Sequence, residues 1–321
     1  MEFGFNIPNG GPLAHNDDIA AICRKGEDCG YSILAIPDHI IIPRTIGANY
    51  PYSPDGTLNF STLGAGECLE PLALMANAAA QTKTAKLLTS VMVVPYREPM
   101  LTAKLVSTID HLSGGRTILG CGAGWMPEEF VAVGAPPYEE RGKVTDEYID
   151  IYRELWTKDA PSFNGKYRSF SNIYFAPKPK QQPHPPIWIG GESAPAMRRA
   201  VKRGDAWYPI GCNPHAPLDS LKRYKAALEV LKRMAADEKR DFKTLDLAYW
   251  SVWTSGTGAP VKASDGERML LTGSADDIAG DIAAMKALGV NHVLFNFLAA
   301  TRQETLDRIE AFATTVLSKV R

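Results

Sequence analysis

The segment GYSILAIPDH, residues 30–39, ends an apolar run in Asp38-His39, and histidine is the side chain whose charge changes near neutral pH. An imidazole at this point could donate to a ring carbonyl, protonate an intermediate or accept a substrate proton. The alternative is a histidine buried for packing. Metal ligation does not fit the set His15, His39, His111, His184, His215 and His292, which shows no paired spacing. His111, within DHLSGGR, reads as a structural residue at a helix end.

A second stretch, TIDHLSGGRTILGCGAGW at 108–125, carries five glycines from Gly114 to Gly124 and raises the question of a phosphate. A dinucleotide fingerprint needs glycine at positions one, three and six. Counted from Gly120 the sixth is Trp125, whose indole would block close helix–strand contact, and no Gly-Lys-Ser/Thr follows for a P-loop. Ser113-Gly114-Gly115 therefore reads as a helix end and Gly120 to Gly124 as a strand end.

Composition narrows the partners. Hydrophobic residues make up 45% and the formal net charge is -1, so a large core is available and nucleic acid is disfavoured. Cys23, Cys29, Cys68, Cys121 and Cys212 form an odd set without a CxxC pair, which suits reduced thiols and a cytoplasmic setting. MEFGFNIPNGG lacks a basic n-region and a long apolar h-region, and no stretch reaches 18 uncharged apolar residues. Neither export nor membrane insertion is expected.

The elements that must position these residues alternate along the whole chain. Strands are expected at Phe3 to Ile7, Ile33 to Ile36, Lys86 to Val94, Thr117 to Gly120, Ile187 to Gly190, Ala206 to Pro209, Leu245 to Trp253 and His292 to Phe297. Helices are expected at Asp17 to Cys29, Pro71 to Thr82, Pro99 to Leu112, Glu139 to Trp156, Ser193 to Arg203, Pro217 to Ala236, Ser274 to Leu288 and Arg302 to Lys319. A long loop at about 37–67 and an excursion at about 158–185, with a possible small hairpin, interrupt the rhythm. Eight strand–helix units favour a single (β/α)8 barrel domain over 1–321, with its site at the C-terminal ends of the strands. Asn6, Asp38, His39, Ser90, Cys121 to Trp125, Gly190 to Ser193, Tyr208 and Asn296 all fall on that rim.

At these residues the chain resembles a known family. GYSILAIPDH, the run EPLALMANAAAQTKTAKLLTSVMVVPYREPMLTAKLVSTIDHLSGGRTILGCGAGW, PPIWIGGESAPAMRRAVKRGDAWYP and LLTGSADDIAGDIAAMKALGVNHVLF are similar to the bacterial luciferase-like superfamily of flavin- and deazaflavin-dependent oxidoreductases. NYPYSPDG and ERGKVTDEYIDIYRELW look most like its coenzyme F420-dependent branch. The resemblance implies an enzyme that moves a hydride between F420 and an apolar organic substrate. An FMN-dependent two-component monooxygenase with a separate reductase is the alternative, and a flavin-binding relative without turnover the more distant one.

On that resemblance His39 is the catalytic candidate, and Asn6, Asp38, His39, Ser90, Val91, Ala123, Gly124, Gly190, Gly191, Glu192 and Ser193 are the coenzyme-binding candidates. The phosphate would lie at GGESAPAMRRA, where glycines expose backbone N–H groups and Ser193 begins a helix. Ser193 could equally be only an N-cap, and helix-surface arginines such as Arg198 and Arg199 are usually solvated. Tyr50, Tyr52, Trp125, Trp188 and Tyr208, with Met126 beside them, would make an aromatic substrate pocket, under a partial lid from the long loop and its Tyr50, Pro51, Tyr52 and Pro54. Trp125 stands where the sugar-phosphate dehydrogenase of the family has an acid, which disfavours a sugar-phosphate substrate. The resemblance also implies a non-prolyl cis bond at Ser90-Val91 and a homodimer through the second and third helices.

Overall fold

The computed structural model describes residues 1–53, 56 and 66–321. Positions 54, 55 and 57–65 of the long loop, Pro54 among them, lie outside the described residues, and the lid expectation is addressed only through Tyr50 and Tyr52.

Strands run as β1 (Glu2–Asn6), β2 (Ile33–Ile36), β3 (Lys86–Thr89), β4 (Met92–Val93), β5 (Thr117–Gly122), β6 (Phe163–Asn164), β7 (Ser169–Phe170), β8 (Ile187–Gly190), β9 (Ala206–Tyr208), β10 (Asp246–Ser251) and β11 (His292–Phe295). Between them lie α1 (Asn16–Asp28), α2 (Pro71–Gln81), α3 (Pro99–Ser113), α4 (Pro127–Ala132), α5 (Arg141–Thr157), α6 (Ala194–Arg203), α7 (Leu221–Asp237), α8 (Ala275–Ala287) and α9 (Arg302–Thr315). The order β3-β2-β1-β11-β10-β9-β8-β5 is parallel throughout, and the β3–β5 pairing closes the ring. This is the (β/α)8 barrel.

Local chemistry explains the element ends. Glu70 and Glu98 cap helices that open with Pro71 and Pro99, where the missing N–H is no loss. Gly114 stops α3 with a φ of 81°, the left-handed region that glycine enters freely. Two segments take the special forms that the resemblance and the sequence led us to expect. The run 86–94 is two strands, β3 and β4, divided at Ser90-Val91, whose peptide bond is cis. Within 158–185, β6 and β7 form a small antiparallel pair with Phe163 opposite Phe170.

Side-chain alternation sorts the strands into two faces. Phe3 and Phe5 of β1 face the helices, where the main core also holds Tyr31, Phe295 and Phe312. Ile33, Ala35, Leu88, Trp188, Tyr208 and Leu294 fill the bore. At the N-terminal end Glu2 contacts Lys86 at 2.7 Å and His292 at 3.0 Å, with Asp246 3.5 Å from the same imidazole. Burial alone would lower the His292 pKa, but Asp246 and Glu2 outweigh it and raise the value. These contacts close the N-terminal end of the bore among the described residues.

Candidate active site

A cavity of about 480 Å³ occupies the C-terminal mouth of the bore. It is lined by Asp38 and His39 after β2, Ser90 and Val91 after β3, Gly122 to Trp125 at the end of β5, Gly190, Gly191 and Ser193 after β8, Tyr208 of β9 and Trp250 of β10. Tyr50 and Tyr52 of the long loop and Arg141, Gly142 and Arg199 from α5 and α6 complete the wall.

Val91 is seated by two glycines. A Cβ on Gly122 would lie 2.6 Å from Val91 Cγ2, and one on Gly190 would lie 3.0 Å from Val91 Cγ1. Only glycine at both positions lets Val91 sit flush against the neighbouring strands, which leaves a low-profile surface at the cavity. Beside it Ser90 Oγ and Tyr208 Oη share a hydrogen bond of 2.9 Å, and burial raises the Tyr208 pKa so that the phenol stays neutral.

The opposite wall is aromatic. Trp125 meets His39 edge-on at 6.4 Å between ring centroids and Tyr50 at 5.1 Å, and Tyr50 meets Tyr52 at 5.6 Å. Burial pushes the Tyr50 phenol up to about 12 and raises Tyr52 well above its ordinary value, so both are neutral surfaces with one polar tip each.

The two members of Asp38-His39 do different work. Asp38 accepts from Val93 N at 2.7 Å and receives both terminal nitrogens of Arg97 at 2.8 and 2.9 Å. Its carboxylate therefore pins β4 and holds Arg97. His39 reaches Glu129 of α4, with Nδ1 2.7 Å from Oε2. That leaves Nε2 without a protein partner among the described residues, with His39 at the cavity wall.

Ser193 caps α6, accepting from Ala196 N at 3.4 Å, and also lines the cavity, so the N-cap and the anion-binding readings hold one place. Arg199 departs from the solvated expectation. Only 8% of it is exposed, its Nε donates to Asp146 at 2.6 Å and its Nη2 to Gly142 O at 2.9 Å. Its remaining Nη1 has no protein partner among the described hydrogen bonds.

Four expected residues stand elsewhere. Trp188 is 2% exposed inside the bore, tilted at 41° against His292 with ring centroids 4.6 Å apart, one layer below the cavity floor. Met126 is fully buried ahead of α4. Glu192 turns away from the cavity to accept from Ile210 N at 2.6 Å and Asn213 Nδ2 at 3.0 Å. Asn6 is buried at the end of β1 with Oδ1 unpartnered and is not part of the lining. Conversely, Glu129, Tyr96, Arg97 and Trp250 were not singled out from sequence. A signal for Glu129 existed, since PEEF places two acids in the first turn of a helix directly behind the Trp125 rim.

Among the described residues no group of three or more His, Cys, Asp or Glu could hold a metal ion, and no helix is long and apolar enough to cross a membrane. An uncharacterized protein of Mycobacterium tuberculosis is 35% identical over 218 residues, 67% of this chain and 71% of that protein. The FMNH2-dependent dimethylsulfone monooxygenase of Pseudomonas putida is 30% identical over 283 residues, 75% of this chain and 76% of that protein. An F420-dependent secondary alcohol dehydrogenase, solved with an F420-acetone adduct, shares the fold over 100% of this chain and 99% of its own, with a TM-score of 0.74 at 18% identity. Residues 1–252, which carry the cavity wall from Asp38 to Trp250, match the luciferase-like monooxygenases, and the chain belongs to that family of oxidoreductases.

Proposed function

We propose that this chain is a coenzyme F420-dependent oxidoreductase that transfers a hydride to or from an apolar organic substrate. The observation that carries the reading is His39, held by a buried carboxylate with Nε2 free at the edge of an aromatic cavity. Hydride movement between a redox pair such as an alcohol and a carbonyl needs a proton to move at oxygen, and a histidine so placed can accept or return it. The deazaflavin, when bound, supplies or takes up the hydride.

The residues fit such a group. Gly122, Gly190 and Val91 offer a flush surface for a flat ring, Ser193 and the first turn of α6 offer N–H donors to a phosphate, and Arg199 supplies positive charge beside them. Trp250 of the lining has a buried Nε1 without a hydrogen-bond partner among the described residues. Tyr50, Tyr52 and Trp125 exclude water and favour an apolar substrate.

A second reading, FMN-dependent oxygenation fed by a separate reductase, is favoured by the dimethylsulfone monooxygenase relative. Titrating the protein with F420 and with FMN, followed by fluorescence or calorimetry, separates the two. F420 binding with turnover of a hydrophobic ketone, enone or aldehyde is the expected result. Binding of FMN alone would move the chain to the second reading, and binding of neither would overturn both. The homodimer belongs to the same proposal. Leu101, Leu105 and Leu112 form an exposed stripe on α3, at 60%, 39% and 75%, which a second copy would cover.

A further inference from the structure

Glu129 is fully buried, yet it is not spare. Its Oε1 accepts from Ile40 N at 2.8 Å and from Ile41 N at 3.2 Å. Its Oε2 accepts from Tyr96 Oη at 3.1 Å and faces His39 Nδ1 at 2.7 Å. Backbone amides can only donate. The Tyr96 phenol is held protonated by burial and by the negative charge of Glu129, so it too donates. Three fixed donors thus converge on a group that accepts at about four positions when ionised. The fourth position faces the imidazole.

We propose that Glu129 is a positioning residue that fixes the tautomer of His39, placing the proton on Nδ1 and leaving the Nε2 lone pair toward the cavity. The proposal rests on the reading that His39 handles the substrate proton, and it adds the direction. Neutral His39 accepts a proton from a hydroxyl, and the imidazolium so formed is balanced by the carboxylate behind it. The proton passes from substrate oxygen to Nε2 and returns by the same route in the reverse reaction.

The surroundings support one arrangement. Tyr138 packs on the same aromatic cluster as Tyr96 through Phe130, and Cys68 and Asp38 lie close by, with Asp38 neutralised by Arg97. None of these donates to His39 Nδ1 among the described hydrogen bonds. The tie from Glu129 to Ile40 and Ile41 also fixes the backbone that carries His39, so ring plane and tautomer are set by the same carboxylate.

Glu129→Gln separates these two duties. Its amide oxygen must stay with the Ile40 and Ile41 N–H groups, which turns the NH2 toward His39. That NH2 donates to Nδ1 and drives the ring proton to Nε2. Long-range ¹H–¹⁵N spectra of histidine-labelled protein, with the His39 signal identified by its loss in His39→Gln, should show neutral His39 protonated at Nδ1 in the parent and at Nε2 in Glu129→Gln. The variant should bind coenzyme normally and lose kcat by about 10²–10⁴-fold with KM little changed. An Nε2–H tautomer in the parent protein, measured without coenzyme or substrate, would overturn the proposal even if Glu129→Gln failed to fold. A correct tautomer combined with full turnover by His39→Gln would instead uphold the positioning and sink the functional reading.

Discussion

Replacing Asp38 by alanine should cost stability rather than coenzyme affinity. The carboxylate is buried and meets three donors, Val93 N and both terminal nitrogens of Arg97. Removing one partner of a buried ion pair costs about 3–5 kcal/mol, because the other charge is left uncompensated. Arg97 keeps Glu70, which reaches its Nη2 at 2.9 Å, so the low end, about 3 kcal/mol, applies. With a urea slope of about 3 kcal/mol per molar, the unfolding midpoint should fall by about 1 M. Urea unfolding followed by circular dichroism, run beside a coenzyme titration of the folded variant, measures both quantities. An unchanged midpoint together with a tenfold or greater loss of coenzyme affinity would return Asp38 to the ligand contact suggested by sequence, and would refute the anchoring role on the order of the magnitude argued here.

Three further outcomes are expected. Burial pushes Glu192 up to about 7 against opposing hydrogen bonds from Asn213 and Ile210, so the native state holds a proton that the unfolded chain releases near 4.5; stability should therefore fall as pH rises from about 4.5 to about 7, by about 3 kcal/mol, and Glu192→Gln should flatten that slope in urea titrations at pH 5 and 8. Arg199→Met should weaken a phosphate-bearing coenzyme by about 1.5–3 kcal/mol while hardly affecting a phosphate-free analogue, and equal loss for both would remove Arg199 from phosphate binding. Leu105→Glu on the exposed α3 stripe should convert a dimer to a monomer in solution scattering, and a parent protein that scatters as a monomer would end that idea.

The barrel was legible because strand and helix periods alternate along the whole chain, and both the residues and the family resemblance pointed to it. The interruption of the third strand was not legible from periodicity, since Lys86 to Val94 is nearly continuously apolar and reads as one buried strand. The expectation of a cis bond at Ser90-Val91 came from the resemblance, and the structure has it. α4 escaped because its six residues are too few for a helical period. Trp188 was misplaced by depth. It pairs in register with Ala206 while Gly190 pairs with Tyr208, so two residues of rise, about 6.6 Å, separate the indole from the rim.

The site was legible where chemistry was local and hidden where it depended on closure of the ring. His39 could be singled out by residue type and by its place after a strand, but its partner Glu129 lies 90 residues away on the short helix α4. Nothing near Glu129 in sequence marks it as buried. Arg199 is a stronger case, because a pattern was present. Asp146 and Asp150 of α5 stand four apart, as do Arg199 and Arg203 of α6, and the pairs meet at 2.6 and 2.9 Å. Each helix alone shows like charges one turn apart, which reads as a solvated face. The opposite charges match only because α5 follows β5 and α6 follows β8, and those two strands are neighbours in the ring. Once that order is known, equal i, i+4 spacing of opposite charge on sequential helices predicts ion pairing across their interface, and Arg199 moves from the surface to the cavity wall.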